Sequence, residues 1–150
     1  GFLFGFDTAV ISGVEKSIQA LWNLSDFAHG FTVAAALIGT VLGAMAAGKP
    51  AEIWGRKKVL QAIGLLYLVT SLATALTNSW EIFVLFRFLG GIGVGASSVV
   101  GPMYISEIAP AHARGRMVAL FQFNVVSGIL IAFVSNYLLF GISEDAWRWM

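Results

Sequence analysis

The spacing of the charges constrains this chain more than any other feature. Phe27 to Gly48 is a run of 22 residues without a charge, Val59 to Trp80 is another 22, and Met117 to Ser143 is 27. Ile82 to Ser106 spans 25 residues with Arg87 alone inside, and Gly1 to Val14 carries only Asp7. A helix needs about 20 predominantly apolar residues to cross a bilayer. The sequence therefore predicts an all-α, polytopic transmembrane helix bundle with spans at about residues 1–20, 28–49, 58–78, 81–106 and 116–140. With no initiator Met and no basic flank before Gly1, the start reads as neither a signal peptide nor a native N-terminus. Trp147-Arg148-Trp149-Met150 reads as the opening of a further helix, so a fragment of a longer membrane protein is expected.

Composition excludes the main alternatives. Only 11% of the residues are charged, against about a quarter in soluble domains, too few to cover a water-exposed globule. The net charge of +1 removes the basic face of a nucleic-acid binder. Cysteine is absent, which rules out disulfide scaffolds, zinc knuckles and thiol nucleophiles. No Walker sequence, HExxH, nucleophile elbow or His/Cys cluster occurs, and His29 and His112 are isolated. Gly91-Ile92-Gly93-Val94-Gly95 lies inside a long apolar helix without a preceding strand, so it reads as close helix packing and not as a dinucleotide loop. No enzymatic activity, cofactor or metal is expected.

Orientation follows from the basic residues. The segment between the second and third spans (49–58) holds Lys49, Arg56, Lys57 and Lys58, and that between the fourth and fifth (107–116) holds Arg114 and Arg116. These are six of nine basic residues, so both segments are predicted to be cytoplasmic, in a plasma (inner) membrane. All five Trp residues (22, 54, 80, 147 and 149) fall at predicted helix ends, where an interfacial aromatic belt lies. Asn23-Leu24-Ser25 is a sequon on the outer side, a triplet that arises often by chance. The pairs Gly1/Gly5, Gly39/Gly43 and Gly91/Gly95 have the small-xxx-small spacing that lets helices pack closely in lipid.

Two charges lie at membrane depth. At about 1.5 Å per residue, Asp7 is roughly 12 Å in from Glu15 and Arg87 roughly 9 Å in from Glu81, a similar depth. Charges there are costly and mark functional sites by default. Burial favours a neutral Asp7 and a nearby Arg87 favours its carboxylate, so making and breaking that contact can switch the acid between holding and releasing a proton. A static ion pair that fixes helix packing is the alternative.

Several motifs carry a family resemblance. Gly5-Phe6-Asp7-Thr8-Ala9-Val10-Ile11-Ser12-Gly13 resembles the first-helix signature of the sugar porter family of the major facilitator superfamily. Gly48-Lys49-Pro50-Ala51-Glu52-Ile53-Trp54-Gly55-Arg56-Lys57 resembles the superfamily's loop between helices 2 and 3, with Glu52 for its usual Asp and Ile53 for its usual Arg. Arg87 to Gly95, Pro102-Met103-Tyr104-Ile105-Ser106-Glu107 and Arg114 resemble the second sugar porter signature. Gln122 followed by Gly128 is similar to the family's helix 5 segment. The closest likeness is to bacterial xylose-type proton symporters, because passive glucose facilitators lack an acid at the position of Asp7.

The resemblance implies a major facilitator fold, of which this chain is the N-terminal part, about five of twelve helices, with the C-terminal half missing. It implies alternating-access transport of a monosaccharide, hexose or pentose, coupled to a proton across the lipid bilayer. Asp7 would be the protonation site, Arg87 its partner, and Phe4 and Gln122 part of the sugar site. The Gln122 amide can accept from and donate to neighbouring hydroxyls at once, or it can serve as glue between helices. Seven residues on, Ile129 stands where xylose-type symporters carry a second Gln, as in glucose facilitators, and leaves the choice of sugar open. Glu52, Arg56, Glu107 and Arg114 would form a cytoplasmic charge network that latches the outward-facing state. A proton-independent facilitator on the same fold and a non-transporting sugar sensor remain as alternatives.

Overall fold

In the computed structural model, residues 1–9 and 25–139 are described, and the regular structure among them is all helical. The chain is helical over residues 2–9 (α1). It continues with α2 (Asp26–Ala46), α3 (Gly48–Trp54), α4 (Arg56–Leu76), α5 (Trp80–Ile108) and α6 (Arg114–Leu139). The rest of the first predicted span, the sequon asparagine and the Trp147–Met150 segment lie outside the described residues. Helices α2, α4, α5 and α6 are each long and apolar enough to cross a membrane.

Local chemistry sets the helix boundaries. Ser25 caps α2, its hydroxyl accepting from the Ala28 amide at 3.3 Å, and Asp26 adds a negative charge to the positive end of the helix. The basic segment read as a loop carries the seven-residue α3. Pro50 sits in its first turn, where a missing N–H costs nothing. Gly55, at φ +87°, separates α3 from α4 in a backbone conformation closed to residues with a side chain. Helix α5 contains Pro102 and, with 29 residues, reaches ~43 Å, well beyond the hydrocarbon thickness.

Helix α5 is the centre of the bundle, packed along α2 most extensively, then α4, then α6. The α2 contact is backbone on backbone: a β-carbon at Gly39 or Gly43 would strike Phe88 or Ile92, and one at Gly91 or Gly95 would strike Ala36 or Thr40. Gly5 of α1 meets the Val125 carbonyl of α6 in the same manner. The core between α3, α4 and α5 is made of Ala47, Ala51, Val59, Ile63, Tyr67, Val94, Ala96 and Val100. Leu65, Leu68 and Leu72 of α4 and Leu130 and Phe133 of α6 are exposed, as expected of surfaces solvated by lipid and not by water.

Polar side chains in the spans are mostly satisfied locally. Thr32 and Thr40 donate to the carbonyls of Ala28 and Ala36, each at 2.8 Å, the pattern that hides a hydroxyl inside an apolar helix. Between helices, Trp80 Nε1 donates to Thr32 Oγ1 at 2.8 Å and ties the start of α5 to α2.

Candidate functional site

The two charges that the sequence placed at membrane depth meet. Arg87 Nη1 donates to Asp7 Oδ1 at 3.5 Å, joining α5 to α1 across 80 positions of sequence. The Arg87 side chain is 12% exposed and that of Asp7 32%. The pair is therefore asymmetric, with a deeply enclosed cation and an acid that keeps an open side. At 3.5 Å, through one oxygen, the contact is long for a charge-assisted hydrogen bond, which is usually about 2.7–2.9 Å. Arg87 Nε is buried without a hydrogen-bond partner among the described residues. Asp7 is thus the acid that compensates the enclosed guanidinium, and removing its charge would leave a buried cation unpaired.

Gly90 lies one turn beyond Arg87 and is buried against Thr70 of α4, where a β-carbon would stand 3.6 Å from Oγ1. Tyr67 and Thr70 of α4 border Asp7 and Arg87 in one small crevice. Sequence reading passed over both residues: a lone tyrosine and a lone threonine in an apolar helix look like ordinary core. The signal that marks them is the spacing of Tyr67, Thr70, Ser71 and Thr74, which puts four hydroxyls on one face of α4.

Phe4 lies one turn before Asp7 on α1, half-buried against the core. Gln122 lies on α6 and is exposed, next in sequence to Phe121, whose carbonyl faces Gly1. Its amide makes no hydrogen bond among the described residues.

At the other end of the bundle, Arg56 Nη2 and Glu107 Oε1 stand 2.9 Å apart, and Arg56 Nη1 donates to the Ala51 carbonyl at 3.3 Å. One guanidinium thus connects the start of α4 to the end of α5 and to α3. Glu52 and Arg114 are exposed and join no ion pair among the described residues. The pair itself is solvated, with side chains 28% and 45% exposed, so its contribution to stability is small. Glu107→Gln is expected to cost less than about 1 kcal/mol in a thermal-denaturation assay. Exchanging the two charges (Arg56→Glu with Glu107→Arg) should restore what either single reversal loses.

The whole chain, residues 1–150, matches the family described as Sugar (and other) transporter. It is 43% identical to a glucose transport protein of Synechocystis sp., over 100% of this chain and 34% of that protein. It is 35% identical to the D-xylose-proton symporter of Escherichia coli K12, over 100% of this chain and 37% of that protein. Among solved structures it is similar to the major facilitator superfamily proton:xylose symporter XylE bound to 6-bromo-6-deoxy-D-glucose. The TM-score is 0.89 at 35% identity, covering 99% of this chain and 38% of that one. The chain spans about a third of the length of the curated relatives it matches.

Proposed function

Because this chain belongs to the sugar (and other) transporter family and has the helix arrangement of the major facilitator superfamily, we propose that it works as the N-terminal part of a monosaccharide/proton symporter. It is an integral membrane protein. In the proposed orientation the membrane is the plasma (inner) membrane, and the segments 49–58 and 107–116 face the cytoplasm. The chain acts by transport and not by catalysis, together with a C-terminal half that supplies the rest of the sugar site.

The observation that carries this reading is the contact between Asp7 and Arg87 across α1 and α5, inside otherwise apolar helices. A buried ion pair is held together mainly by the penalty for stranding either charge. Protonating Asp7 removes one charge and leaves Arg87 free to turn to another acceptor. Rocking of the two halves then exposes the neutral acid to the opposite side, where it releases its proton and recaptures Arg87. Sugar lies next to this pair: Phe4, one turn before Asp7 on α1, offers an apolar wall to the ring, and Gln122 of α6 offers amide hydrogen bonds to hydroxyls. Its relatives' names include both glucose and xylose, which supports the class monosaccharide. The half-exposed Arg56–Glu107 pair is a contact weak enough to break in each cycle, as a latch between conformations requires.

Reconstituting the full-length transporter in vesicles and following labelled sugar tests the transport claim. Saturable uptake of an aldopentose or aldohexose is expected, with entry driven above equilibrium by an inward proton gradient. Binding of sugar without flux would identify a sensor instead.

A further inference from the structure

The hydroxyl face of α4 is not explained by the ion pair. Tyr67, Thr70, Ser71 and Thr74, with Asp7 and Arg87 among their neighbours, line a crevice of about 20 Å³, room for one water molecule. Tyr67 is only 9% exposed, and its hydroxyl has no hydrogen-bond partner among the described residues. Ser97, the polar side chain beside it, donates its own proton to the Val94 carbonyl at 2.8 Å, which leaves its oxygen as a competing acceptor for the phenol. Thr70 and Thr74 donate to the carbonyls of Leu66 and Thr70, each at 2.9 Å, which leaves lone pairs as what they offer the crevice. An unsatisfied buried hydroxyl is costly, and native interiors avoid that cost with ordered water.

We propose that this crevice is a water site and that Tyr67 is a positioning residue for Asp7, acting through that water. The proposal rests on the reading of Asp7 as the proton site. The water accepts from the Tyr67 hydroxyl and donates to the Asp7 carboxylate, an arrangement that satisfies both groups. Thr70 is buried and Thr74 half-buried but Ser71 is exposed, so the crevice is open at its Ser71 end. A hydronium reaching the site from that end transfers its proton to an Asp7 oxygen. One O–H bond breaks, one forms, and neutral water is left behind. The titratable groups facing Asp7 are Arg87 from α5 and Tyr67 from α4, whereas the α6 residues packed on α1, Phe121, Asn124 and Val125, bring none.

The test compares Tyr67→Phe, Asp7→Asn and the parent in the full-length transporter, in vesicles with an imposed proton gradient. Proton-driven accumulation and gradient-free counterflow of sugar are both measured against pH. Tyr67→Phe removes one hydroxyl and keeps the ring. It is expected to lower accumulation several-fold and to move its half-maximal pH by about half a unit to one unit toward alkaline values, the equivalent of one hydrogen bond to the carboxylate. Counterflow should persist, which also shows that the variant is folded. An unshifted midpoint, or counterflow that falls in step with accumulation, would overturn the proposal. If Asp7→Asn still accumulates sugar, the proton-site reading fails instead, whatever Tyr67→Phe does.

Discussion

Asp7→Asn in the full-length transporter is expected to abolish accumulation of sugar against its gradient while exchange of sugar across the membrane continues. Asparagine has the shape of a protonated aspartic acid and cannot release a proton, so it holds the site in one of its two charge states. The effect is large because the driving force is lost completely. One elementary charge moved through 100 mV is worth about 2.3 kcal/mol, enough for roughly 50-fold accumulation, and the variant should fall to an inside-to-outside ratio of about one. Exchange survives because neutral Asp7 is the form expected to carry sugar in both directions, with Arg87 already released from a contact that is 3.5 Å long in the structure. Initial uptake with and without a proton gradient, beside counterflow at equal pH, distinguishes this outcome from simple misfolding.

The second large effect is structural. Gly95→Leu is expected to prevent assembly of the bundle. A β-carbon at Gly95 would meet the Thr40 carbonyl and the Ala44 amide, all backbone, so no change of rotamer relieves the clash. The two helices must separate along the contact on which α5 depends most. Overpacking typically costs about 1–3 kcal/mol and more where backbone has to move, so the folded fraction in detergent should collapse. Gly64→Ala in α4 is the matched control, because nothing lies within 4 Å of a β-carbon there, and alanine favours the helix by about 1 kcal/mol over glycine. Fluorescence-detected size exclusion of both variants should show loss of the monodisperse peak for Gly95→Leu alone.

These two residues also show how much was legible in the sequence. Asp7 and Arg87 stood out because each is the one charge in a long apolar run, and a charge that lipid penalises has few explanations. Gly91 and Gly95 stood out because their spacing repeats that of Gly39 and Gly43, which the structure sets against the same helix pair. The Arg56–Glu107 pair was legible as residue types, but partner choice was not. Glu52 and Glu107 are both acids near the same basic cluster, and the formation of α3, ended by Gly55, leaves Glu52 exposed while Arg56 turns to Glu107. Tyr67 was not legible. A phenol in an apolar helix is indistinguishable from core until the tertiary fold shows that its hydroxyl is buried beside an acid.

In the proposed mechanism the carboxylate of Asp7, held by Arg87, ties the movement of sugar to that of a proton. The most direct measurement is the internal pH of vesicles carrying the full-length transporter, followed with a trapped dye while sugar is added outside and no other gradient is present. Sugar flowing inward should acidify the interior in the parent and leave it unchanged in Asp7→Asn. Sugar entry at normal rates with no pH change in the parent would contradict the account and leave the ion pair as packing alone.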